Sequence, residues 1–298
     1  MSRPALSPSR AADFKQCPLL YRLRAIDRLP EPPSAAQLRG SVVHAALEQL
    51  YTLPAPLRDP ETAMTLVAPA WDLVVGEEPE LVAAFTPEQR GRILIEAQSL
   101  LSGYYRLEDP TRFDPESCEQ RVEVELSDGT LLRGFVDRID VAATGELRVV
   151  DYKTGKAPPE ARGFAEAKAL FQMKFYALVL WRLHGRVPTR LQLVYLGSGE
   201  LLTYEPDEHD LRAVERKVKA LWVAIERAAT DGDFRPRPSR LCDWCGHKQL
   251  CPAFGGVAPP IPDDAVVLAL DPRASGAVEG VDRVGLVEVG GGRGGDDG

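Results

Sequence analysis

The spacing of apolar residues over the first hundred positions predicts a mainly helical region. Ser7 and Pro8 have the sequence of a helix start, because a capping hydroxyl followed by proline suits the first helical positions. Further along, Val42, Ala46 and Leu50 form part of an apolar stripe with helical spacing. Helices are predicted over about residues 7–24, 34–51, 61–75 and 87–106.

From about residue 120 the pattern changes to the alternation typical of strands. Val122, Val124 and Leu126 alternate with charged residues, and Asp128-Gly129 is a hairpin turn signal. Strands are predicted over about 120–126, 131–141, 147–152, 191–196 and 201–204, and helices over 164–184 and 207–229. This order of helices and strands predicts an α/β fold.

Composition is that of an ordinary globular chain. Of the 298 residues 44% are hydrophobic and 27% charged, and no run of about 18 apolar residues is present. The first residues lack the apolar core of a signal peptide, so we expect a cytoplasmic protein without a membrane partner. The net charge of −8 argues against a generally basic coat for nucleic acid. Much of the acidity lies in a Gly/Pro/Asp-rich tail, residues 256–298, which we expect to be largely disordered.

Two strand segments carry the most informative chemistry. Asp137 lies within one of them, and Asp151 and Lys153 lie within the next. Because strand side chains alternate between faces, Asp151 and Lys153 point the same way, and antiparallel pairing would bring Asp137 beside Asp151. Two adjacent carboxylates repel unless a divalent cation lies between them. A neighbouring lysine can polarise a water or neutralise a phosphate, so the pattern predicts metal-assisted phosphodiester hydrolysis.

The same residues also have an ordinary structural interpretation. Asp137 and Asp140 can pair with Arg138 or Arg133 on a solvated strand, and Asp151 can cap a turn. For an isolated Asp-x-Lys sequence that interpretation is the commoner one. The motifs elsewhere in the chain favour the functional interpretation.

Together these motifs resemble those of the PD-(D/E)XK nuclease superfamily, and within it the RecB-family exonucleases. Gly134-x-x-Asp137 and the Asp-Tyr-Lys segment are joined by Gln172-x-x-x-Tyr176 on the following helix. Gly40-x-x-x-His44 lies on an N-terminal helix. Each motif is weak alone, but their order and spacing agree over residues 7–254. The resemblance implies a restriction-endonuclease-like core, a mixed sheet flanked by helices, within a nuclease domain over residues 1–255. It also implies a helical insertion over about residues 52–118.

The resemblance also implies a role for each motif residue. Lys153 would position or activate the attacking water, while Gln172 and Tyr176 would orient Lys153 or contact DNA. The implied catalytic residues are Asp137, Asp151, Lys153, Gln172 and Tyr176. The implied ligands of Mg²⁺ or Mn²⁺ are His44, Asp137, Asp151 and the backbone carbonyl of Tyr152.

Three cysteines within ten residues, Cys242, Cys245 and Cys251, predict a second metal site. A closed site needs a fourth ligand. Cys17, which precedes a proline, resembles the N-terminal cysteine of the same family's iron–sulfur nucleases. On spacing alone zinc and iron–sulfur are equally compatible, whereas the resemblance implies a [4Fe–4S] cluster that clasps the two ends of the domain. Cys118 has no motif around it, and we expect an ordinary thiol.

The expected function is a metal-dependent DNA exonuclease that acts on single strands or DNA ends in repair or recombination. A helicase or repair complex is a possible partner, and unwinding would need another chain because no G-x-x-x-x-G-K-[ST] motif is present. The alternatives are a CRISPR-adaptation-type nuclease and a non-cleaving DNA-binding or helicase-partner subunit. Eight basic residues near the chain ends are either one DNA-binding patch or scattered charges: Arg10, Lys15, Arg22, Arg24, Arg235, Arg237, Arg240 and Lys248.

Overall fold

The fold is described from a computed structural model that covers residues 5–77, 79–158 and 163–263. The side chains of residues 163–168 are not described. Most of the tail that the sequence predicts to be disordered, from residue 264 onward, lies outside the described residues. No helix in the described part of the chain is long and apolar enough to cross a membrane.

One mixed six-stranded sheet forms the centre of the protein. Its strands are β1 (Ala5–Leu6), β2 (Ser117–Glu125), β3 (Leu131–Val141), β4 (Leu147–Lys153), β5 (Arg190–Tyr195) and β6 (Glu200–Tyr204). Strand β3 is antiparallel to β2 along one edge; its start also pairs with β1 and its end with β4. Strand β4 is parallel to β5, which is antiparallel to β6. The parallel pair requires a long crossover, which a helix supplies.

Helices cover both faces of this sheet. They are α1 (Pro8–Gln16), α2 (Pro18–Tyr21), α3 (Ala35–Thr52), α4 (Pro60–Thr65), α5 (Val67–Glu77), α6 (Pro79–Ala83), α7 (Pro87–Tyr104), α8 (Gly163–His184) and α9 (Glu208–Asp231). Helices α1, α8 and α9 pack on one face with Val149 of β4, and helices α3 to α7 pack on the other with Val150. Neighbouring residues of β4 thus enter opposite cores, as the pleat of a strand requires.

The predicted α/β fold, a mixed sheet flanked by helices, is confirmed, and the differences are local. The first predicted helix is interrupted at Cys17, whose backbone is extended (φ −162°, ψ 117°). Pro18 explains the break, because proline lacks an N–H and disfavours helical geometry in the residue before it. The helix predicted over 61–75 is two helices, α4 and α5. Strand β1 was not predicted, because two residues are too short to show a period.

Candidate active site

The two predicted carboxylates meet where β3 and β4 separate. The last ladder pair on this side joins Arg138 to Val150, and one further step in the same register places Asp137 opposite Asp151. The backbone N–H of Tyr152 donates to Asp137 Oδ2 at 2.7 Å, which ties the side chain to β4. Burial raises the pKa of both carboxyls, to about 6 for Asp151, because it disfavours their charged forms.

Lys153 lies on the same face of β4 as Asp151 and contacts it directly. Its Nζ is 2.5 Å from Asp151 Oδ2 and donates to Gln172 Oε1 at 3.1 Å. Gln172 and Tyr176, one turn apart on α8, are hydrogen-bonded to each other. Burial alone lowers the pKa of Lys153, but Asp151 and Asp137 raise it above its ordinary value. The amine is therefore a cation held between a carboxylate and an amide.

Helix α3 crosses the end of β4 and brings His44 to the same place. Gly40 lies beside the end of that strand, where a Cβ would be 3.7 Å from Thr154 Oγ1. One turn later, His44 Nε2 lies 3.1 Å from the carbonyl oxygen of Tyr152, and Nδ1 lies 3.5 Å from Asp137 Oδ2. Burial lowers the pKa of His44, but Asp137 and other carboxylates raise it to about 9. The ring thus contacts two of the groups that the resemblance names as metal ligands.

Glu119 also belongs to this site, although it was not predicted from the sequence. Its Oε1 lies 3.5 Å from His44 Nδ1. The ligand atoms of His44, Glu119 and Asp137 all lie within 4.8 Å of one another. Glu119 has a φ of +45°, in the left-handed region that costs a non-glycine residue about 1–2 kcal/mol. A lone glutamate in an alternating strand looks like a solvated charge, which is why the pattern did not single it out.

The side chain of Tyr152 points away from the site and anchors it from behind. Arg138, which is fully buried, donates to the Tyr152 hydroxyl at 2.5 Å and forms two 2.9 Å hydrogen bonds with Glu108. The same guanidinium contacts the hydroxyls of Tyr51 on α3 and Tyr104 on α7. This network joins the helical region to β3 and β4, directly behind the backbone that the site uses.

Four of the five cysteines line one cavity between the N-terminal helices and the C-terminal loop: Cys17, Cys242, Cys245 and Cys251. Backbone N–H groups point at three of the sulfurs. Those of Arg237 and Ser239 donate to Cys17 and Cys242, each at 3.3 Å, and that of His247 donates to Cys245. Four cysteine side chains that face one cavity are a donor set that suits a thiolate-bound metal group.

The fifth cysteine and four of the basic residues have other surroundings. Burial raises the pKa of Cys118 to about 12, which favours the thiol form. Of the basic residues near the chain ends, Arg10 and Arg22 are buried, and Arg24 and Lys248 form ion pairs with neighbouring carboxylates. These four residues therefore fit the interpretation as scattered charges better than that of one open DNA-binding patch.

Comparison with known proteins identifies the family. A sequence model of the PD-(D/E)XK nuclease superfamily matches residues 5–252, which include every residue of the site. The Gene 69 protein of Mycobacterium phage D29 is 26% identical over 287 residues, covering 84% of this chain and 97% of that protein. The Gene 69 protein of Mycobacterium phage L5 is 29% identical over 148 residues, covering 47% and 48%. The crystal structure of SSO0001 aligns with 60% of this chain and 79% of its own at 20% identity, with a TM-score of 0.33. On the match to the superfamily model, this chain belongs to the PD-(D/E)XK nuclease superfamily.

Proposed function

We propose that this protein is a DNA exonuclease of the RecB type that requires Mg²⁺ or Mn²⁺ and acts on single strands or DNA ends. Membership of the superfamily indicates a metal-dependent nuclease. The observation that carries the proposal is the convergence of Asp137, Asp151 and Lys153 with His44 where β3 and β4 separate. A non-cleaving subunit would have no use for this arrangement. A role in repair or recombination, with a helicase or repair complex as partner, is part of the same proposal.

The donor set fits a hard divalent cation. His44, Asp137, Asp151 and the carbonyl of Tyr152 offer one imidazole nitrogen and several oxygens, which suit Mg²⁺ or Mn²⁺. Asp137 and Asp151 also lie opposite each other in register and largely out of water, and the charge of Asp137 raises the pKa of Asp151. When bound, the cation supplies positive charge that offsets this repulsion and stabilises the charge developing on a phosphodiester during hydrolysis.

Lys153 is positioned to act beside that cation. An ammonium group has three N–H donors, and here one contacts Asp151 and another Gln172. The third remains for a water or a phosphate oxygen. Because Gln172 is itself held by Tyr176, the amine is fixed in direction before substrate arrives. We assign Lys153 to orienting the attacking water and neutralising phosphate charge.

We also propose that the cysteine site holds a [4Fe–4S] cluster, with zinc as the alternative. Four thiolates at about 2.3 Å from one zinc ion lie within roughly 4 Å of one another. In the described part of the chain, three side chains have metal-ligand atoms within 4.8 Å of one another, namely those of His44, Glu119 and Asp137. The four cysteines do not form such a group, and the resemblance of their motif to that of iron–sulfur nucleases is what favours the larger cluster.

End-specific labelling tests the nuclease proposal. Purified protein is incubated with single- and double-stranded DNA labelled at either end, with Mg²⁺ or Mn²⁺. We expect stepwise release of short products from linear single strands, and loss of at least about a hundredfold in rate for Asp151→Asn and Lys153→Met. The exposed substitutions Asp72→Asn and Lys217→Met are the charge-matched controls. DNA that stays intact with wild type in both metals would reject a nuclease, and cutting of circular single strands would reject a strict exonuclease.

A further inference from the structure

Three carboxylates form one row across three neighbouring strands. The ladder between β2 and β3 pairs Cys118 with Arg138 and Gln120 with Val136, so Glu119 lies opposite Asp137. The register between β3 and β4 places Asp137 opposite Asp151. Neither pair belongs to the regular ladder itself, but a ligand oxygen of Glu119 lies within 4.8 Å of one of Asp137. Asp137 is therefore flanked by a carboxylate on each side.

Such a row is unfavourable unless positive charge lies against it, because like charges directly opposite each other are destabilising. At the β4 end of the row, the amine of Lys153 supplies positive charge, because it contacts Asp151. At the other end lies the ring of His44, whose Nδ1 is 3.5 Å from both Glu119 Oε1 and Asp137 Oδ2. These distances are too long for strong hydrogen bonds.

The same distances suit ligands of one ion. Two ligand atoms that each lie about 2.1 Å from a divalent cation are roughly 3.0–3.5 Å apart at angles near 90–110°. Nδ1 of His44 and the oxygens of Glu119 and Asp137 can therefore reach one cation with little movement of the backbone. The left-handed φ of Glu119 interrupts its own pairing with Asp137. Glu119, the residue with this unusual backbone conformation, also supplies the third side chain of the group that it forms with His44 and Asp137.

We propose that Glu119 is a ligand of the divalent cation, which it shares with His44 and Asp137. This inference rests on the proposed metal-dependent function and adds a residue that the four sequence motifs do not contain. An additional carboxylate makes the site more negative, so it strengthens binding of the cation before DNA arrives.

Binding of Mn²⁺ to the full-length protein, measured by calorimetry and by the electron paramagnetic resonance signal of free Mn²⁺, tests this in the absence of DNA. We expect Glu119→Gln to weaken Mn²⁺ binding by about tenfold or more. Glu116→Gln, an exposed glutamate just before β2, removes the same charge and should change the affinity less than twofold. Unchanged affinity in Glu119→Gln would overturn the proposal.

Weakened binding can also arise if Glu119 only orients His44, because such partners alter metal affinity by about 10–100-fold. Anomalous diffraction from Mn²⁺-soaked crystals separates the two roles. A ligand places Mn²⁺ within about 2.5 Å of a Glu119 oxygen. An ion bound by His44 and Asp137, with Glu119 more than about 3 Å away, would overturn the proposal but leave the proposed function intact. Wild-type protein that binds no Mn²⁺ by any method would instead contradict the proposed function.

Discussion

Gly134 on β3 lies so close to the ring of Tyr176 on α8 that a Cβ built on the glycine would be 2.5 Å from Tyr176 Cε1. This contact joins two motifs that are far apart in the sequence. Tyr176 is hydrogen-bonded to Gln172, which accepts a hydrogen bond from Lys153. The glycine is thus required by the space that the tyrosine occupies, and it lies at the start of a chain of contacts that ends at the amine of Lys153.

We expect Gly134→Ala to displace Tyr176 and thereby move Gln172 away from Lys153. Overpacking of this kind costs about 1–3 kcal/mol, and the rate of DNA cleavage should fall together with the stability. Urea unfolding and a cleavage assay measure the two effects. The control is Gly91→Ala on α7, where nothing lies within 4 Å of the added carbon. It should be neutral or stabilising by up to about 1 kcal/mol, because alanine favours the helix.

A double-mutant cycle identifies the contact responsible. In protein that already carries Tyr176→Ala, the further change Gly134→Ala should cost much less than it does alone, because the ring it would strike is gone. An equal cost in both backgrounds would show that Gly134 is needed for some other reason.

Sequence reasoning located the parts of the site that depend on local geometry. The alternation of a strand determines that Asp151 and Lys153 share a face, and hairpin pairing determines that Asp137 lies near Asp151. Glu119 was missed although a signal for it existed. The turn at Gly129 fixes the register of β2 against β3, and extending that register leads to the Glu119–Asp137 pair.

The network behind the site depends on contacts that no local pattern contains. Arg138 gains its partners from Tyr51, Tyr104 and Glu108, which come from different parts of the helical region. Packing between residues that are far apart in the sequence decides which helix faces which strand. The spacing of residues therefore predicts that Arg138 lies on a strand, but it does not predict that Arg138 is buried. The sequence analysis could therefore pair Arg138 only with neighbouring carboxylates; Asp140 does lie 3.1 Å from its Nε, but Glu108 was not predicted.

The backbone of Glu119 gives a prediction about stability without metal. Both Glu119→Gly and Glu119→Ala remove the carboxylate, but only glycine adopts a φ of +45° without a steric cost. We expect the glycine variant to be more stable by about 1 kcal/mol in urea unfolding. The control is Glu123 on the same strand, where the backbone has no positive φ. There the alanine variant should be more stable than the glycine variant, because glycine loses more conformational freedom on folding. Alanine equal to glycine at position 119 would mean that the left-handed conformation is not adopted in solution.

The buried pair of Arg138 and Glu108 predicts a large loss of stability when one partner is removed. Arg138→Met leaves the Glu108 carboxylate buried beside hydroxyl groups and the more distant Arg148, whose Nη1 is 3.5 Å away. Uncompensated buried charges cost about 3–5 kcal/mol. We expect a loss of this size in urea unfolding, whereas Arg227→Met, at an exposed helix pair, should cost less than about 1 kcal/mol. Similar small losses in both variants would contradict the importance of the network.

The same pair predicts how stability depends on pH. Burial raises the pKa of Glu108, but Arg138 and Arg148 outweigh this and hold it below its ordinary value of 4.5. As the pH falls below that value, the unfolded chain takes up a proton before the folded protein does, so the free energy of unfolding decreases. The contribution is fully present above the ordinary pKa. Urea titrations between about pH 3 and 7 should show a smaller loss on acidification for Glu108→Gln than for wild type. Parallel curves would show that Glu108 is not linked to folding.

The proposed cluster at the cysteine site predicts visible absorption and a contribution to stability, and both can be tested separately from DNA cleavage. Protein purified without oxygen should be brown, with broad absorption in the visible range and with iron and sulfide in equal amounts. Cys17→Ala should lose this absorption and lower the melting temperature, because the proposed cluster would tie α1 and α2 to the C-terminal loop and its binding free energy would contribute to folding. Cys118→Ala, which removes the thiol outside the cavity, should keep both the colour and the iron. Elemental analysis that finds zinc without iron or sulfide would contradict the cluster, and unchanged melting of Cys17→Ala would contradict the clasp.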